Sequence, residues 1–127
     1  MIVKFITAFL ISLKLFTQED IDYLAECMYY ENYSNGEEAM YLTGAVVLNR
    51  RDYCDWCPDT VKGVITQKGQ YSTVNKLFTK PIPKECYRIA VKVLIKNDTP
   101  HSLIYQSMSK QGKSVYKKIN TDYFCLE

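Results

Sequence analysis

The 127-residue chain has little net charge, and this argues against one large class of functions. Its 16 Lys and Arg nearly balance 14 Asp and Glu, which leaves a net charge of +2. Domains that bind nucleic acid usually carry a pronounced basic stripe. The sequence therefore predicts no nucleic-acid partner. The small positive charge is compatible with an anionic envelope polymer but does not argue for one.

The chain also lacks an apolar run of the ~18 residues that a clear transmembrane helix needs. Its most apolar stretch is residues 1–16, in which Lys4 precedes an apolar run and Lys14 interrupts it. This pattern fits a signal peptide, a retained anchor or an amphipathic helix with its polar residues on one side. Residues 1–16 are thus the part of the chain for which the sequence leaves membrane contact open.

Histidine is nearly absent, and His101 is its single occurrence. Cys54 and Cys57 have the spacing of a redox or zinc pair, but a thioredoxin-type motif needs a βαβ context and zinc needs two further ligands. In an exported protein a structural disulfide explains such cysteines better. We expect no metal site and no cofactor, and we predict that Cys54 or Cys57 is bridged, with Cys86 as the favoured partner.

No internal repeat or low-complexity segment divides the chain, and 127 residues suffice for one core but not for two. We therefore predict an apolar segment over residues 1–16 and a single domain over residues 17–127. Hydrophobic periodicity predicts helices over residues 17–31, 35–51, 58–65 and 84–96, followed by strands over residues 102–106, 115–119 and 123–126. Helices followed by a small antiparallel sheet near the C-terminus give an α+β fold.

Glu31 stands out among the acidic residues because of where it falls on the first helix. The apolar residues of that helix recur at helical spacing, and Glu31 follows Met28 by three positions on the same side: Ile21, Leu24, Ala25 and Met28. A carboxylate beside a buried face is costly unless it is paired or has a task. The alternative is a helix-end Glu that reaches solvent or caps the next helix, which the pattern Ser34-x-x-Glu37 predicts to begin there.

Four motifs occur in order along the chain and together resemble one protein family. They are YYEN at residues 29–32, AVVLNR at 45–50, PDTVKGVI at 58–65 and QKGQYS at 67–72. The family pattern has a Tyr-x-Glu, an AVxLNR, a Pro-[Asn/Asp]-Thr helix and a Gln-x-Gly-Gln-[Phe/Tyr]-Ser segment at matching positions. From about residue 20 onward the chain therefore resembles the catalytic domain of the SleB-type cell wall hydrolases, which include spore cortex-lytic enzymes and phage lysins.

Two departures from the family pattern are visible. Residues 32–35 replace the Ala-Arg-Gly-Glu that often follows the family acid, and Asp122 stands where a His commonly precedes the aromatic pair. The first change is expected to alter the rim of the cleft and the second a secondary contact. Neither replaces Glu31.

The resemblance implies a lysozyme-like fold in which Glu31 is the general acid and base. Glycoside cleavage needs a carboxylic acid that stays protonated near neutral pH, and burial beside apolar groups can achieve this. The resemblance also implies substrate binding by amides that pair with acetamido groups and by aromatic rings: Gln67, Gln70, Tyr71, Tyr105 and Tyr29. Without the resemblance, residues 67–71 fit an ordinary polar loop and Tyr105 fits core packing equally well.

No second carboxylate is clearly placed opposite Glu31, whereas ordinary glycosidases use two. The sequence and the resemblance therefore predict a lytic transglycosylase that cuts the bond between MurNAc and GlcNAc in peptidoglycan glycan strands. We expect it to act as a monomer in the cell envelope, outside the cytoplasm. The alternatives are a muramidase that uses water, a non-catalytic envelope-binding or structural protein on the same fold and, more remotely, a thiol-redox enzyme.

Overall fold

A computed structural model of the chain describes residue 6 and residues 15–127. The leader, anchor or amphipathic helix predicted over residues 1–16 therefore lies almost entirely outside the described residues. Phe16 is described and is buried in the core, so packing begins at least one residue before the predicted domain. Within the described part of the chain no helix is both long and apolar enough to cross a membrane.

Helix α1 spans Gln18–Asn32 and begins where the sequence predicted. The Asp20 amide donates to Thr17 Oγ1 at 3.1 Å, and the Thr17 amide donates to Asp20 Oδ2 at 3.0 Å. This reciprocal capping satisfies two backbone donors that a helix start otherwise leaves open. The predicted apolar stripe of α1 is buried, as expected.

Helix α2 spans Glu37–Tyr53, and its start corrects the sequence-based prediction. Ser34 does not cap it, because Tyr33–Asn35 forms a single 3₁₀ turn instead. Gly36 is the residue before the helix and has φ of 94°, a conformation that favours glycine because other residues carry a Cβ. The turn between α1 and α2 is thus tighter than a capping box would make it.

The middle of α2 is buried on nearly all sides. Side chains of two other helices approach Gly44 closely. A Cβ at Gly44 would lie 3.1 Å from Val93 Cγ1 and 3.2 Å from Met28 Sδ. Gly44 therefore lies where α2 packs tightly against both α1 and the last helix.

Two further helices complete the helical layer. Helix α3 spans Val61–Thr66 and is capped by Thr60, whose Oγ1 accepts from the Gly63 amide at 2.9 Å. Helix α4 spans Lys84–Ile95 and packs its apolar face on α1 and α2. Between them lies a loop that includes a 3₁₀ turn at Val74–Lys76.

The C-terminal part forms one antiparallel sheet of β1 (Leu103–Ser107), β2 (Ser114–Ile119) and β3 (Asp122–Leu126), with β3 in the middle. Leu103 and Phe124 of the sheet pack against Leu42 and Val46 of α2. The architecture is the predicted α+β fold, mostly helical with a small sheet near the C-terminus. The sheet therefore lies against α2, just beyond the end of α1 that carries Glu31.

The disulfide prediction was right in one half and wrong in the other. Cys54 is bridged, but its partner is Cys57, three residues away. Cys86 is a free thiol buried on α4, as are Cys27 and Cys125 in their own elements. Cys54 closes the C-terminus of α2 and Cys57 follows in the next turn, so the two are neighbours by sequence alone, whereas Cys86 packs in the core.

Candidate active site

Glu31 lies in the last turn of α1, and a chain of amides fixes that end of the helix. Asn32 Nδ2 donates to Thr43 Oγ1 of α2 at 2.7 Å, and Asn35 Nδ2 donates to Asn32 Oδ1 at 2.8 Å. This series of amide hydrogen bonds continues to the hairpin between β2 and β3, where Asn120 Nδ2 donates to Asn35 Oδ1 at 2.5 Å. Residues 32–35, which depart from the family pattern, thus tie the end of α1 to both α2 and the sheet.

The carboxyl group of Glu31 is partly buried and has one hydrogen-bonding side chain. Thr73 Oγ1, from the loop after α3, donates to Glu31 Oε2 at 2.6 Å. Burial is the main cause that raises the pKa of Glu31. The Thr73 hydrogen bond and the charge of Lys76 lower this pKa, whereas the charge of Asp122 raises it. The net effect is a carboxyl that holds its proton to higher pH than an ordinary Glu, as a general acid requires.

Asp122, at the start of β3, is a carboxylate that sequence reasoning did not place beside Glu31. Its charge acts on Glu31, and its Oδ2 accepts from Gln106 Nε2 of β1 at 3.4 Å. One hint was visible in the sequence, because Asp122 departs from the family pattern. Only the pairing of β3 with β1 and β2 brings it to the end of α1.

The floor of the site is apolar. Tyr71 is buried, and this burial raises the pKa of its hydroxyl. Cys27, one helical turn before Glu31, is fully buried, and burial and the charge of Glu31 raise the pKa of its thiol. The Tyr71 ring therefore leaves little face for a sugar to stack on, and its burial favours a role in the wall that desolvates Glu31.

The two glutamines of the loop after α3 are held differently. Gln70 Oε1 accepts from Arg50 at 2.5 Å, so its carbonyl is engaged and its amide nitrogen remains available. Gln67 Oε1 and Gln106 Oε1 are the buried side-chain oxygens that lack a hydrogen-bond partner within the described residues. A buried acceptor without a partner is costly, so each is suited to accept an N–H from a ligand. No pattern in the sequence identified Gln106, because its contact with Asp122 depends on the pairing of β1 with β3.

Tyr105 and Tyr29 are less directly related to Glu31. Tyr105 alternates with Gln106 along β1, so its side chain is on the other face of the sheet. Tyr29 precedes Glu31 by two residues, which corresponds to a rotation of about 200° around the helix. Its ring contacts Tyr30 and Tyr33, with centroid distances of 4.9 and 5.1 Å. Tyr29 belongs to an aromatic patch beside the site and does not line the carboxyl of Glu31.

Arg50 of α2 binds two segments near the site, β1 and the loop after α3. Its Nε donates to the carbonyl of Ile104 in β1 at 2.6 Å, and a terminal nitrogen donates to Gln70. The guanidinium also lies over the ring of Trp56 at 5.5 Å. One buried side chain thus joins α2, the sheet and the loop after α3.

A separate depression of about 630 Å³ is lined by charged residues at the start of α2 and the end of α4, with Tyr116 from β2. Glu37 there pairs with Arg88 at 2.5 Å, and this arginine lowers the pKa of Glu37. An acid held ionised cannot serve as a proton donor near neutral pH. Glu37 therefore lacks the property that distinguishes Glu31.

No group of three or more His, Cys, Asp or Glu able to hold a metal ion occurs in residue 6 or residues 15–127. Cys54 and Cys57 are consumed by their mutual bridge. His101 is exposed and stacks on Tyr53 with the ring centroids 3.9 Å apart. These residues offer no set of ligands on which a cofactor argument could rest.

Comparison with known proteins places this geometry in context. The profile of a family described as cell wall hydrolase matches residues 34–124, well over half of the chain. The match begins three residues after Glu31, so it covers Thr73, Gln106 and Asp122 but not the acid. No curated protein sequence gives a significant match.

Two solved structures share the fold. The catalytic domain of the Bacillus cereus SleB protein superimposes with a TM-score of 0.73 at 22% identity, over 87% of this chain and 91% of that one. The catalytic domain of the germination-specific lytic transglycosylase SleB from Bacillus anthracis gives 0.69 at 23% identity, over 87% and 96%. These similarities confirm the predicted lysozyme-like fold.

Proposed function

The chain belongs to the family of cell wall hydrolases, and we propose that it cleaves the glycan strands of peptidoglycan with Glu31 as general acid and base. The observation that carries this proposal is a partly buried carboxyl whose pKa is raised by burial and which accepts a hydrogen bond from Thr73. Its substrate lies in the cell envelope, so we propose that the protein acts outside the cytoplasm. We further propose that it works as a monomer.

We propose lytic transglycosylation as the reaction, at the bond between MurNAc and GlcNAc. Protonated Glu31 gives its proton to the glycosidic oxygen as the C1–O bond breaks. The resulting carboxylate then takes the proton from the C6 hydroxyl of the same muramic acid, whose oxygen attacks C1 and closes a 1,6-anhydro ring. No water is consumed and Glu31 ends protonated again. The attacking group is already part of the substrate, so correct positioning replaces an ordered water.

Substrate positioning is proposed for side chains of the loop after α3, of β1 and of α1. Gln67 and Gln106 offer acceptor oxygens for the N–H of acetamido groups, and Gln70 offers its amide nitrogen. Tyr71 is proposed to form the apolar wall, and Tyr29 and Tyr105 remain candidates for contacts farther along a glycan strand. The SleB protein from Bacillus anthracis is described as a lytic transglycosylase, which supports the choice of reaction without deciding it at 23% identity.

A hydrolytic muramidase is the second candidate, and Asp122 is the observation that favours it. Inverting and retaining glycosidases use a pair of carboxylates, one of which activates water or forms a covalent intermediate. Asp122 acts electrostatically on Glu31 and so is the carboxylate available for that role. In a transglycosylase the same Asp122 would only keep Glu31 protonated.

Digestion of purified peptidoglycan in H₂¹⁸O separates these reactions. Transglycosylation gives 1,6-anhydro ends without ¹⁸O, whereas hydrolysis gives reducing ends that carry one ¹⁸O. Glu31→Gln is the matched control, because the amide keeps the shape of the acid but cannot donate the proton. It should retain the fold by circular dichroism and less than about a tenth of the activity, since general acid catalysis contributes on the order of 10²–10⁴-fold.

Asp122→Asn tests the muramidase alternative directly. If Asp122 activates water, the variant loses ¹⁸O-labelled products. If Asp122 acts only through its charge, products are unchanged and the high-pH limb of kcat/KM moves to lower pH, because the charge that raises the pKa of Glu31 is gone. Wild-type protein that binds peptidoglycan yet releases no fragments would contradict both reactions and favour a non-catalytic binding protein.

A further inference from the structure

Glu26 is a second carboxyl group on α1, and the proposed chemistry does not use it. Its residue is only 2% exposed, although the side chain can carry a charge. A carboxylate at such a position is costly unless a specific contact compensates. Glu26 precedes Glu31 by five residues, so the two carboxyl groups point to different sides of the same helix.

The contact that Glu26 makes is with the backbone of the loop before α4. The Phe78 amide donates to Glu26 Oε1 at 2.8 Å. Phe78 has φ of 61°, in the left-handed region that non-glycine residues rarely adopt. Its ring is half-exposed and touches the edge of Tyr23, with centroids 4.8 Å apart. The hydrogen bond between this residue's amide and the buried Glu26 carboxyl group is therefore a restraint on the backbone at this point.

The loop that Glu26 holds also carries groups that act on Glu31. Thr73 donates its hydrogen bond to Glu31, and the charge of Lys76 lowers the pKa of that carboxyl. Thr73 meets Glu31 and Phe78 meets Glu26, so five residues separate the contacts on both partners. Five residues of helix rise about 7.5 Å, a distance that the intervening loop spans while it runs antiparallel to α1. A weaker contact joins Tyr30 and Thr79, whose hydroxyl oxygens lie 3.2 Å apart.

We propose that Glu26 is a positioning residue that fixes the loop over residues 73–79 against α1 and thereby places Thr73 on Glu31. This rests on the proposed function in one respect, the identity of Glu31 as the acid. Glu26 touches neither the Glu31 carboxyl nor the substrate in this arrangement. Its effect on catalysis passes through the loop backbone, so a merely structural role and a positioning role predict different results for Glu31 itself.

The first experiment compares Glu26→Met with Glu26→Gln, two side chains of similar length. Gln keeps an oxygen that accepts from the Phe78 amide, whereas Met keeps only the apolar volume. We expect Glu26→Met to speed hydrogen exchange of the Phe78 amide by at least about tenfold, because it removes the oxygen that accepts from this amide. Glu26→Gln should leave that amide protected. Equal exchange rates in the two variants would contradict the proposal.

The second readout is the pKa of Glu31, measured by NMR from its carboxyl carbon. Thr73 and Lys76 both lower this pKa, so release of their loop should raise it. We expect an upward shift in Glu26→Met and none in Glu26→Gln. Thr73→Val should also raise it, and the shift in the double variant Glu26→Met/Thr73→Val should be smaller than the sum. Additive shifts, or no shift in Glu26→Met, would overturn the proposal.

Glu19→Met is the control, because it makes the same change at an exposed position on the same helix. It should alter neither the Phe78 amide nor the pKa of Glu31. If Glu26→Met does not fold, the wild-type and Glu26→Gln proteins still test the proposal. Rapid exchange of the Phe78 amide in either protein would show that Glu26 does not hold the loop. These measurements need no substrate, so a failure of the proposed lytic activity and a failure of the proposed positioning by Glu26 can be distinguished.

Discussion

Opposing influences act on the pKa of Glu31, and apart from burial they come from the loop after α3 and from the start of β3. Burial within the end of α1 and the charge of Asp122 favour its protonated form, whereas Thr73 and Lys76 favour the carboxylate. The balance leaves the pKa raised. The free energy of unfolding should therefore depend on pH through Glu31, the residue proposed to carry the chemistry.

The raised pKa of Glu31 makes a signed prediction about stability and pH. Because the folded protein holds this proton more tightly than the unfolded chain does, the group stabilises the fold fully at low pH. That contribution is lost as pH rises from the ordinary Glu pKa through the raised one. Glu31→Gln mimics the protonated form, so its stability relative to wild type should increase across this window.

Urea denaturation of both proteins between about pH 4 and pH 8 measures the effect, since the window opens near the ordinary Glu pKa. Glu38→Gln, at an exposed position on α2, is the control. It should show no comparable trend. A stability difference between Glu31→Gln and wild type that stays constant with pH would contradict the raised pKa.

Among the elements, α2 depends on the absence of a side chain at Gly44. A Cβ added there would lie 3.1 Å from Val93 Cγ1. The two further methyl groups of a valine would therefore crowd the neighbouring side chains. We expect Gly44→Val to destabilise the protein by about 1–3 kcal/mol, as overpacking of a core usually does. Thermal or urea unfolding measures this, and Val93→Ala in the same chain should recover part of the loss.

The turn after α2 makes a prediction about the cysteines. Non-reducing peptide mapping should find Cys54 linked to Cys57 and should find Cys27, Cys86 and Cys125 as thiols. The closed loop is very short, so reduction should cost no more than about 2 kcal/mol of unfolding free energy on the loop-entropy argument. A Cys57–Cys86 peptide would instead revive the pairing predicted from the sequence.

At the scale of the whole molecule, Arg50 connects the helical layer, the sheet and the loop after α3. A lysine carries its charge at one point and cannot donate to both Ile104 and Gln70 as the guanidinium does. We expect Arg50→Lys to lose about 1–3 kcal/mol of stability because a buried carbonyl loses its donor. The released Gln70 should raise KM more than it lowers kcat.

Arg51→Lys provides the matched control for that prediction. Arg51 is the next residue of α2 and pairs with neighbouring Asp52 at 2.7 Å near the surface. Its replacement should change stability by no more than about 0.5 kcal/mol. Equal effects of the two substitutions would show that Arg50 does not have the connecting role described here.

Patterns in the sequence alone were enough to place the helices and strands and to single out Glu31 as the proposed acid. Helical periodicity, the Thr17 cap and the strand patterns depend on neighbours in the chain, so they placed the helices, the strands and Glu31 close to their observed positions. The four motifs likewise led to the family, because motif order and spacing are properties of the sequence. The Ser34 cap failed even at this level, since Tyr33–Asn35 formed a 3₁₀ turn and Gly36 took over.

The groups that surround Glu31 come together only through contacts between distant segments of the chain. Thr73 is 42 positions away along the chain and Asp122 is farther still, so no local pattern could bring them to the same carboxyl. The Cys86 pairing failed for the same reason, because helix α4 turns that thiol into the core. The bond between Glu26 and Phe78 spans 52 positions. Sequence patterns report which residues are buried, whereas packing of distant segments decides which buried groups meet.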